Sequence, residues 1–500
     1  MRGMMKFHFS NVFITSAVFL FLSLSIAHAR IIRIPSDVRT IQQGISTAED
    51  GDTVLVRAGD YVEQLDYSGK NICIGSLFLT TGDASYIEST VIGGGGNGRA
   101  ITFNHSENRH ARLCGFTITG GRVVNGGGIY CNQSDPTLDH LVIEGNSASE
   151  DGGGIYCEDH SLPLISDCEI RNNYAGEHGG GFYCRDDSDP VFNNVIIRDN
   201  EAGSGGGMYF NFNSQPELTE VWVINNRAGS MGGGIASNGR CVISMSKVAL
   251  AGNFAGSLYG GGMYIGASDV IMENITVADN VTNGNGGGFR MLGSCDIVIH
   301  NSIFWNNYPE QAYQSGSPDP AGAIDVSYSD FTNGRNGLVI TGNARLNWQA
   351  GNISDDPLFA DSNSGDYNLL QRSPCIDTGD PDSPADPDDS RIDMGAFFFD
   401  HRVGVEEDQY VNYSSEFSLS TYPNPFNNAT TISYNLNVPG KVKLTLSDLL
   451  GREVNNWEYG WQNVGNYRIL IDGNKLTSGI YTVRLETGKQ TATQRLICIK

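Results

Sequence analysis

Seven Gly-Gly-Gly triplets follow one another along the middle of this 500-residue chain, at steps of 26, 27, 26, 27, 28 and 26 residues. So improbable a tripeptide at so regular a spacing indicates one structural unit that is repeated and stacked. Each unit of such an array contacts mainly its neighbours, so the chain is predicted to be a solenoid over most of its length. The triplets begin at Gly126, Gly152, Gly179, Gly205, Gly232, Gly260 and Gly286.

The residues after each triplet alternate in character. The third position after the triplet start is always apolar and the fifth is mostly apolar and compact. This period of two predicts a short β-strand with one face inward. The third positions, predicted to form one buried column, are Ile129, Ile155, Phe182, Met208, Ile235, Met263 and Phe289. A second apolar–variable–apolar run, such as residues 141–143 or 195–197, predicts another strand in each unit.

An asparagine follows the second strand of every unit. Asparagine tolerates left-handed backbone geometry, which suits a sharp corner. Stacked at one corner of successive coils, the side-chain amides are also predicted to hydrogen-bond to one another as a ladder. These residues are Asn146, Asn173, Asn200, Asn226, Asn253, Asn280 and Asn307.

The length of the unit decides between repeat architectures. It is too short for a helix-containing repeat of the ankyrin kind, and the leucine spacing of leucine-rich repeats is not present. We therefore predict an all-β chain: a right-handed parallel β-helix whose coils rise by about 4.8 Å. Glycines allow the corners to turn with positive φ and the coils to approach closely.

The chain resembles the pectin-lyase-like β-helix superfamily. Residues 34–45 are similar to the short helix that caps such solenoids, residues 50–63 to a first coil, and residues 115–120 to an entry coil. The triplet repeats also resemble those of polymorphic outer-membrane adhesins. These likenesses place the β-helix at residues 30–310 and say little about activity, because one fold hosts many functions.

The N-terminal residues and the net charge limit where the protein is located and which partners it can have. Residues 1–29 have a basic start, an apolar stretch and an Ala-His-Ala end, which predicts a signal peptide and export. The net charge is −24, which disfavours nucleic acid, anionic membranes and strongly anionic polymers unless cations mediate the contact.

Ten cysteines in an exported chain would ordinarily indicate disulfides. Here Cys131, Cys157 and Cys184 share one inward position, and Cys168 stands where neighbouring units have leucine or valine. We therefore predict buried thiols that act as small apolar side chains. A metal site at these cysteines is disfavoured because the sequence has no C-x-x-C pair.

The last part of the chain lacks the glycine-triplet repeat and differs from it in composition. Residues 311–400 are predicted to form the final coils and a cap, and they resemble the "choice-of-anchor" segment of bacterial β-helix proteins. Residues 401–415 read as a polar linker. Residues 416–500 alternate as short strands, which predicts a small β-sandwich.

Two motifs in residues 416–500 carry a further resemblance. Tyr-Pro-Asn-Pro-Phe at residues 422–426 and Ser-Gly-Ile-Tyr at residues 478–481 are similar to the C-terminal sorting domain of type IX secretion substrates. This resemblance implies handling by outer-membrane secretion machinery, and release or surface display on a Gram-negative bacterium. Cleavage of the domain is left open.

Catalytic signatures of the β-helix enzymes are not met in the sequence. The motifs of polygalacturonases, pectin methylesterases and mannuronan epimerases are incomplete or missing. The strongest cluster is predicted where adjacent coils bring acidic groups near an arginine, which could bind calcium and abstract a proton. The alternative is a solvated charge ladder. These residues are Glu158, Asp159, Arg185, Asp186 and Asp187.

Two further sets of residues are candidate binding groups. Tyrosines between the two inward positions are predicted to project outward, either as a platform for sugar rings or as a column that merely packs together. They are Tyr130, Tyr156, Tyr183, Tyr209 and Tyr264. A loop rich in aspartate, with Asp380, Asp382, Asp386 and Asp388, supplies oxygen ligands for calcium without EF-hand spacing.

These features predict an exported β-helix protein that recognises an extracellular polymer, most plausibly a polysaccharide. The first rival is a polysaccharide lyase or hydrolase with a site on the outer face. The second is an adhesin or structural surface protein.

Overall fold

The computed structural model describes residues 29–314, 322–341 and 343–402, together with most of residues 418–498. Residues 1–28 of the predicted signal peptide and residues 403–415 of the predicted linker lie outside the described residues. The chain divides into two compact units, which are residues 1–355 with 394–396, and residues 356–393 with 397–500. Within the described residues, no helix is both long and apolar enough to span a membrane.

The first unit is a parallel β-solenoid, as predicted. Sheet 1 contains the strands that follow the glycine triplets, and sheet 3 contains very short strands that precede the triplets. Sheet 1 consists of Leu65–Asp66, Ile101–Phe103, Ile129–Asn132, Ile155–Glu158, Phe182–Cys184, Met208–Asn211, Ile235–Asn238, Met263–Gly266, Phe289–Leu292, Ala312–Gln314 and Leu338–Ile340. Sheet 3 consists of Arg122–Val123, Ser147–Ala148, Tyr174–Ala175, Glu201–Ser204, Arg227–Met231, Phe254–Ala255 and Val281–Thr282.

Sheet 2 is the largest sheet and takes up to two strands from each coil, which merge into single strands of 8 residues in the middle coils. It consists of Ile31–Ile34, Thr53–Val56, Gly59–Val62, Cys73–Ser76, Thr90–Gly93, Arg112–Cys114, Thr117–Thr119, Thr137–Asp139, Val142–Glu144, Leu164–Arg171, Val191–Arg198, Glu217–Ile224, Val242–Ser246, Ala249–Ala251, Asp269–Glu273, Thr276–Ala278, Ile297–His300, Ile303–Trp305, Ala323–Ser327, Asp330–Phe331 and Arg345–Trp348. The repeat pattern indicates two strands in each unit, and sheet 3 is the part that it does not reveal.

Helices are few in the described residues and lie at the start of the solenoid. Ile41–Thr47 is the predicted cap helix; Thr40 caps it by accepting a hydrogen bond from the backbone N–H of Gln43. Phe78–Thr81 and Ser85–Glu88 are single turns inserted between two strands of sheet 2. Short 3-10 turns occur at Gly334–Gly337 and Ser362–Ser364.

Each glycine of a triplet is required for a separate reason. The first glycine has positive φ, for example 63° at Gly179, where L side chains are strained. The second and third lie against the next coil. A Cβ on Gly180 would stand 2.4 Å from the carbonyl oxygen of Gly206, and one on Gly181 would stand 2.8 Å from that of Gly207. The triplet therefore marks a tight turn that packs on its own copies.

The predicted inward column is confirmed. All seven residues from Ile129 to Phe289 are at most 1% exposed, and each strand pairs in register with the strand one coil away, as Phe182 does with Ile155 and Met208. The thiols of Cys131, Cys157 and Cys184 are buried in the same core. All ten cysteines are free, and burial raises the pKa of the Cys184 thiol well above its ordinary value.

The asparagine ladder is confirmed, with one correction. The Nδ2 of Asn173 donates to Oδ1 of Asn200 at 3.0 Å, and Asn200 donates to Asn226 at 3.0 Å. The same bonds continue along the whole series to Asn307. The left-handed corner, however, falls one residue earlier, for example at Asn172 with φ 54° and at Asp199 with φ 56°. The ladder residues are buried connectors, while their predecessors make the turn.

Replacing one member of this ladder should be costly. In Asn200→Ala, the carbonyl of Ile170 and the N–H groups of Asn173 lose their partner inside the solenoid. Because each buried unsatisfied group costs about 1–3 kcal/mol, we expect the free energy of unfolding to fall by about 3 kcal/mol, measured by chemical denaturation. Asn193→Ala, an exposed position of the same coil, is the matched control. Equal stability of the two variants would refute the ladder's contribution.

The C-terminal part of the second unit contains two antiparallel sheets around one apolar core, which agrees with the predicted sandwich. One sheet consists of Ser418–Tyr422, Ala429–Leu436 and Gly465–Asp472, and the other of Gly440–Asp448, Glu453–Gln462, Gly479–Thr487 and Thr491–Cys498. Phe359–Asp361 and Asp366–Leu369 form a separate hairpin.

The first of the two motifs lies against the final strand of this domain. Asn424 donates to the carbonyl of Arg495 at 2.6 Å and accepts from the N–H of Ile497 at 2.9 Å. Phe426 is buried, with only 3% of its surface exposed, and its own N–H donates to the carbonyl of Ile497 at 2.9 Å. The first motif therefore fastens the final strand, which explains why these residue types occur together.

Candidate functional site

The tyrosine column predicted as an exposed platform is buried. Tyr156 and Tyr183 are each 2% exposed, Tyr209 is 6% exposed and Tyr264 is 7% exposed, while Tyr130 is half-buried. The rings stack on one another, with centroids 5.1 Å apart between Tyr156 and Tyr183. They form a second apolar cluster, separate from the solenoid core. The expectation of exposed aromatic faces is therefore wrong.

The physical reason lies in the turns that lead into the glycine triplets. The residues before successive triplets bridge to one another, as His178 does to Asp151, and some of their side chains cover the tyrosines. His178 stands edge-on to the ring of Tyr209 at 4.6 Å, and Met231 and Tyr259 pack against the same cluster. Alternation along a strand assigns a side chain to the outer face of its sheet, but it does not show that a neighbouring turn covers that face.

The hydroxyls of the column are hydrogen-bonded as well as buried. Tyr130 and Tyr156 both donate to the carboxylate of Glu158, at 2.6 and 2.9 Å. Burial raises the pKa of Tyr156 above its ordinary value, and the bond to Glu158 adds to the effect. Burial also raises the pKa of Tyr209 to about 12. These phenols are structural groups held neutral at physiological pH.

The residues of the proposed catalytic cluster lie on adjacent coils, where the N–H of Arg185 donates to the carbonyl of Cys157, but their charged groups are already engaged. Arg185 pairs with Asp186, and Asp159 accepts from Gln133 and contacts His160. Asp159, His160, Asp186 and Asp187 all have positive φ between 56° and 63°. Aspartate is among the residues that tolerate this geometry best. The acidic pair is therefore explained by the corner between sheets 1 and 2, and it lines neither of the described cavities.

The aspartates proposed for calcium use their oxygens within their own loop. Asp386 accepts from the N–H of Asp393 at 2.8 Å, and Asp388 accepts from Ser390 and His401. These bonds lower the pKa of Asp388. Burial raises the pKa of Asp393 to about 6. Among the described residues, the clusters whose ligand atoms lie within 4.8 Å of one another do not include the four proposed aspartates.

Two exposed aromatic residues of the solenoid, Tyr174 and Tyr308, lie in line with sheet 3, where the sequence does not predict them. Tyr174, Glu201, Arg227, Phe254 and Val281 occupy one register position on successive coils, and Tyr308 bridges to Val281. We call these six residues the sheet 3 stripe. Tyr174 is 50% and Tyr308 67% exposed, and the guanidinium of Arg227 lies 4.7 Å from the ring centre of Phe254. A 27-residue offset from Phe254 to Val281 to Tyr308 is the signal that could have found it.

A groove of about 220 Å³ lies beside sheet 2, next to the inserted turn Ser85–Glu88. Ile87, Val142 and Ile196 supply apolar lining, and the polar lining consists of His140, Asp167, Glu169 and Asn194. Three of these polar residues share a left-handed corner position of successive coils, at φ 52°, 52° and 53° for His140, Asp167 and Asn194.

Behind this groove lies a network that sequence reasoning missed. The guanidinium of Arg112 donates to both oxygens of Asp139 at 2.7 Å, and Nδ1 of His140 lies 3.0 Å from Oδ2 of the same carboxylate. Burial alone would raise the pKa of Asp139, but the bonds from Arg112 and His140 outweigh it and leave this pKa below its ordinary value. Asp139 is therefore a buried, ionised carboxylate that orients an imidazole.

Comparison with known proteins agrees with both parts of this architecture. Residues 75–255 match the family model of the right handed beta helix region, and residues 420–500 match that of the secretion system C-terminal sorting domain. No curated protein matches the chain. The parallel coils and the two family matches identify the chain as an exported β-helix protein that carries a type IX secretion sorting tail.

Proposed function

We propose that this protein binds an extracellular polysaccharide along the sheet 3 stripe. The observation that carries the proposal is a row of aromatic, apolar and charged side chains at one register position of successive coils, in which the rings of Tyr174 and Tyr308 are exposed. Exposed aromatic side chains that are aligned on a sheet face usually mark an interaction surface. The polysaccharide is therefore assigned to sheet 3, and the tyrosines of sheet 1 are assigned to packing.

The chemistry of the stripe suits a sugar chain. Aromatic rings such as Tyr174 and Tyr308 offer flat apolar faces and a polar hydroxyl, and sugar rings have an apolar face with hydroxyls at the edge. Glu201 and Arg227 stand between the aromatic positions and can bond to those hydroxyls. Because the coils are about 4.8 Å apart, a chain that runs along the solenoid contacts several positions at once.

The charge of the protein narrows the class of polysaccharide. A net charge of −24 repels strongly anionic polymers. Neutral polysaccharides therefore fit better than polyuronates. The sorting tail supports delivery to the outer surface of a Gram-negative bacterium, where such polymers are accessible.

Loss of the two most exposed rings should weaken binding. If each stacked ring contributes about 1 kcal/mol, the double variant Tyr174→Ala with Tyr308→Ala should lose at least tenfold in affinity, since 1.4 kcal/mol is a factor of ten. We expect this loss in a glycan-array screen followed by titration with the neutral polysaccharide that binds best. The melting temperature should change little, because these rings are exposed.

Phe212→Ala is the matched control, since this ring is 50% exposed but lies at the corner after Met208–Asn211, outside the stripe. It should bind as the unmodified protein does. A stripe variant that binds at full affinity would refute the assignment to sheet 3. Binding to no polysaccharide on the array, together with adhesion to whole cells, would favour the adhesin alternative.

A further inference from the structure

The network of Arg112, Asp139 and His140 is not needed for binding along sheet 3, and its geometry is that of an oriented base. Asp139 has a side chain only 5% exposed, and both of its oxygens are fixed by Arg112. An ionised carboxylate can only accept hydrogen bonds. Nδ1 of His140 is therefore the protonated nitrogen, and in the neutral ring Nε2 carries the free lone pair.

His140 lines the groove, and its Nε2 is on the side of Asp167, another lining residue. The nearest acidic neighbour of Nε2 is Oδ2 of Asp167, 4.0 Å away, which is too long for a hydrogen bond. A water that lies about 2.8 Å from both atoms would meet them at an angle of roughly 90°, which suits the two hydrogen bonds of one molecule. The groove, at about 220 Å³, has ample room for water and for part of a ligand.

The charged groups of the groove decide which reaction it can support. Inverting glycoside hydrolysis needs two carboxyl groups on opposite faces of the sugar, one as acid and one as base. Of the two carboxylates that line the groove, Glu169 accepts from Arg171 at 3.0 Å and from Arg198 at 2.6 Å, which leaves Asp167 alone. Elimination from a uronate is disfavoured because the residues that line the groove include no lysine or arginine to neutralise the carboxylate of the sugar, while Asp167 repels it. Ester hydrolysis needs only one base, which can return its proton to the leaving oxygen.

We propose that His140 is the general base in the hydrolysis of O-acyl esters on a neutral polysaccharide, a substrate class that rests on the proposed function. Nε2 takes a proton from water while the water oxygen bonds to the acyl carbon. The bond between that carbon and the sugar oxygen then breaks, and the proton passes from Nε2 to the sugar oxygen. The products are a carboxylic acid and a free sugar hydroxyl.

The neighbouring residues have supporting roles in this step. Asp139 stabilises the imidazolium through Nδ1–H, and Asp167 accepts the second hydrogen of the water. Asn194 donates one amide N–H to Asp167 at 2.7 Å, and its other N–H can meet the developing negative charge on the acyl oxygen. The ring of Phe78 lies 4.6 Å from the imidazole and limits its movement.

The chain itself supplies a fold-preserving variant. Asparagine occupies the same left-handed corner in other coils, at Asn194, Asn274 and Asn301, so His140→Asn should fold normally. General-base catalysis typically contributes 10²–10⁴-fold. We expect His140→Asn to lower kcat for acetate release from O-acetylated xylan at least 100-fold, with KM unchanged. Asp139→Asn should also lower kcat, because an amide does not fix the imidazole tautomer.

His160→Asn is the matched control. His160 has φ 63° and lies 3.3 Å from Asp159, but its side chain is 72% exposed and outside the groove. It should release acetate at the full rate. Equal loss in both variants, or no acetate release by the unmodified protein from xylan or from 4-nitrophenyl acetate, would overturn the proposal.

The two proposals fail in different ways. Tyr174→Ala with Tyr308→Ala should raise KM for the polymer. Polysaccharide binding without any acetate release would overturn the esterase and leave the binding function standing. Hydrolysis of 4-nitrophenyl acetate that depends on His140, without binding to any polysaccharide, would overturn the polysaccharide as the substrate.

Discussion

Replacing Tyr156 and Tyr183 together with alanine should lower the free energy of unfolding by at least about 5 kcal/mol. Removing a large buried ring typically costs about 3–5 kcal/mol, and both rings are 2% exposed. The two rings stack on each other at 5.1 Å, so their losses should not add simply. The double change also removes one of the two phenols that donate to Glu158. Chemical denaturation of the full chain is the measurement.

Two comparisons make this result specific. Tyr156→Phe keeps the ring and removes only the bond to Glu158, so it should cost about 1 kcal/mol. Tyr174→Ala with Tyr308→Ala removes two exposed rings from sheet 3 and should leave stability nearly unchanged. If the Tyr156 and Tyr183 variant were as stable as the sheet 3 variant, the tyrosines would be exposed in solution, and their original assignment as a binding platform would return.

The parts of the fold that could be predicted are those whose residues recur in every repeat unit. The inward column and the asparagine ladder follow from residues that recur at one position in every unit. The stacked coils then place these residues in register, as with Asn173 and Asn200. Period-two alternation fixes the face of a strand, and equal unit lengths fix its partner.

The tyrosine column shows where this reasoning ends. The alternation correctly assigns Tyr183 to the outer face of sheet 1, yet burial depends on a turn from another part of the coil. His178 and Met231 help to cover the column. They differ in chemical type, so the repeat shows no recurring residue at this position from which the covering could be predicted.

The groove could not be predicted for a related reason. Asp139 and Arg112 are 27 residues apart and meet only because their coils stack. Ile87, which lines the groove, comes from an insertion with no counterpart in other units. The available signal is that His140, Asp167 and Asn194 recur at one corner position. Their residue types suit a left-handed turn, and only the contact between Asp139 and His140 indicates another role.

Deleting residues 416–500 should hold the protein in the periplasm while the solenoid stays folded. The apolar core of the solenoid is made of residues from Ile32 to Leu338, with partly buried residues up to Trp348 packed against it. The sorting tail has its own core, centred on Leu444, Val483 and Leu485. Removing the tail therefore removes the sorting signal that the secretion machinery recognises, and it leaves the apolar core of the solenoid buried. Protease treatment of intact cells, followed by fractionation, measures the outcome.

A point variant separates loss of the folded tail from loss of the chain itself. Val483 is fully buried in the tail core, and Val483→Asp would place an unpaired charge there. It should unfold the tail alone and stop delivery to the surface as the deletion does. In both variants, polysaccharide binding by the purified protein should match that of the unmodified chain, because the sheet 3 stripe belongs to the first unit. Surface exposure of the truncated chain at the normal level would show that export does not depend on the tail.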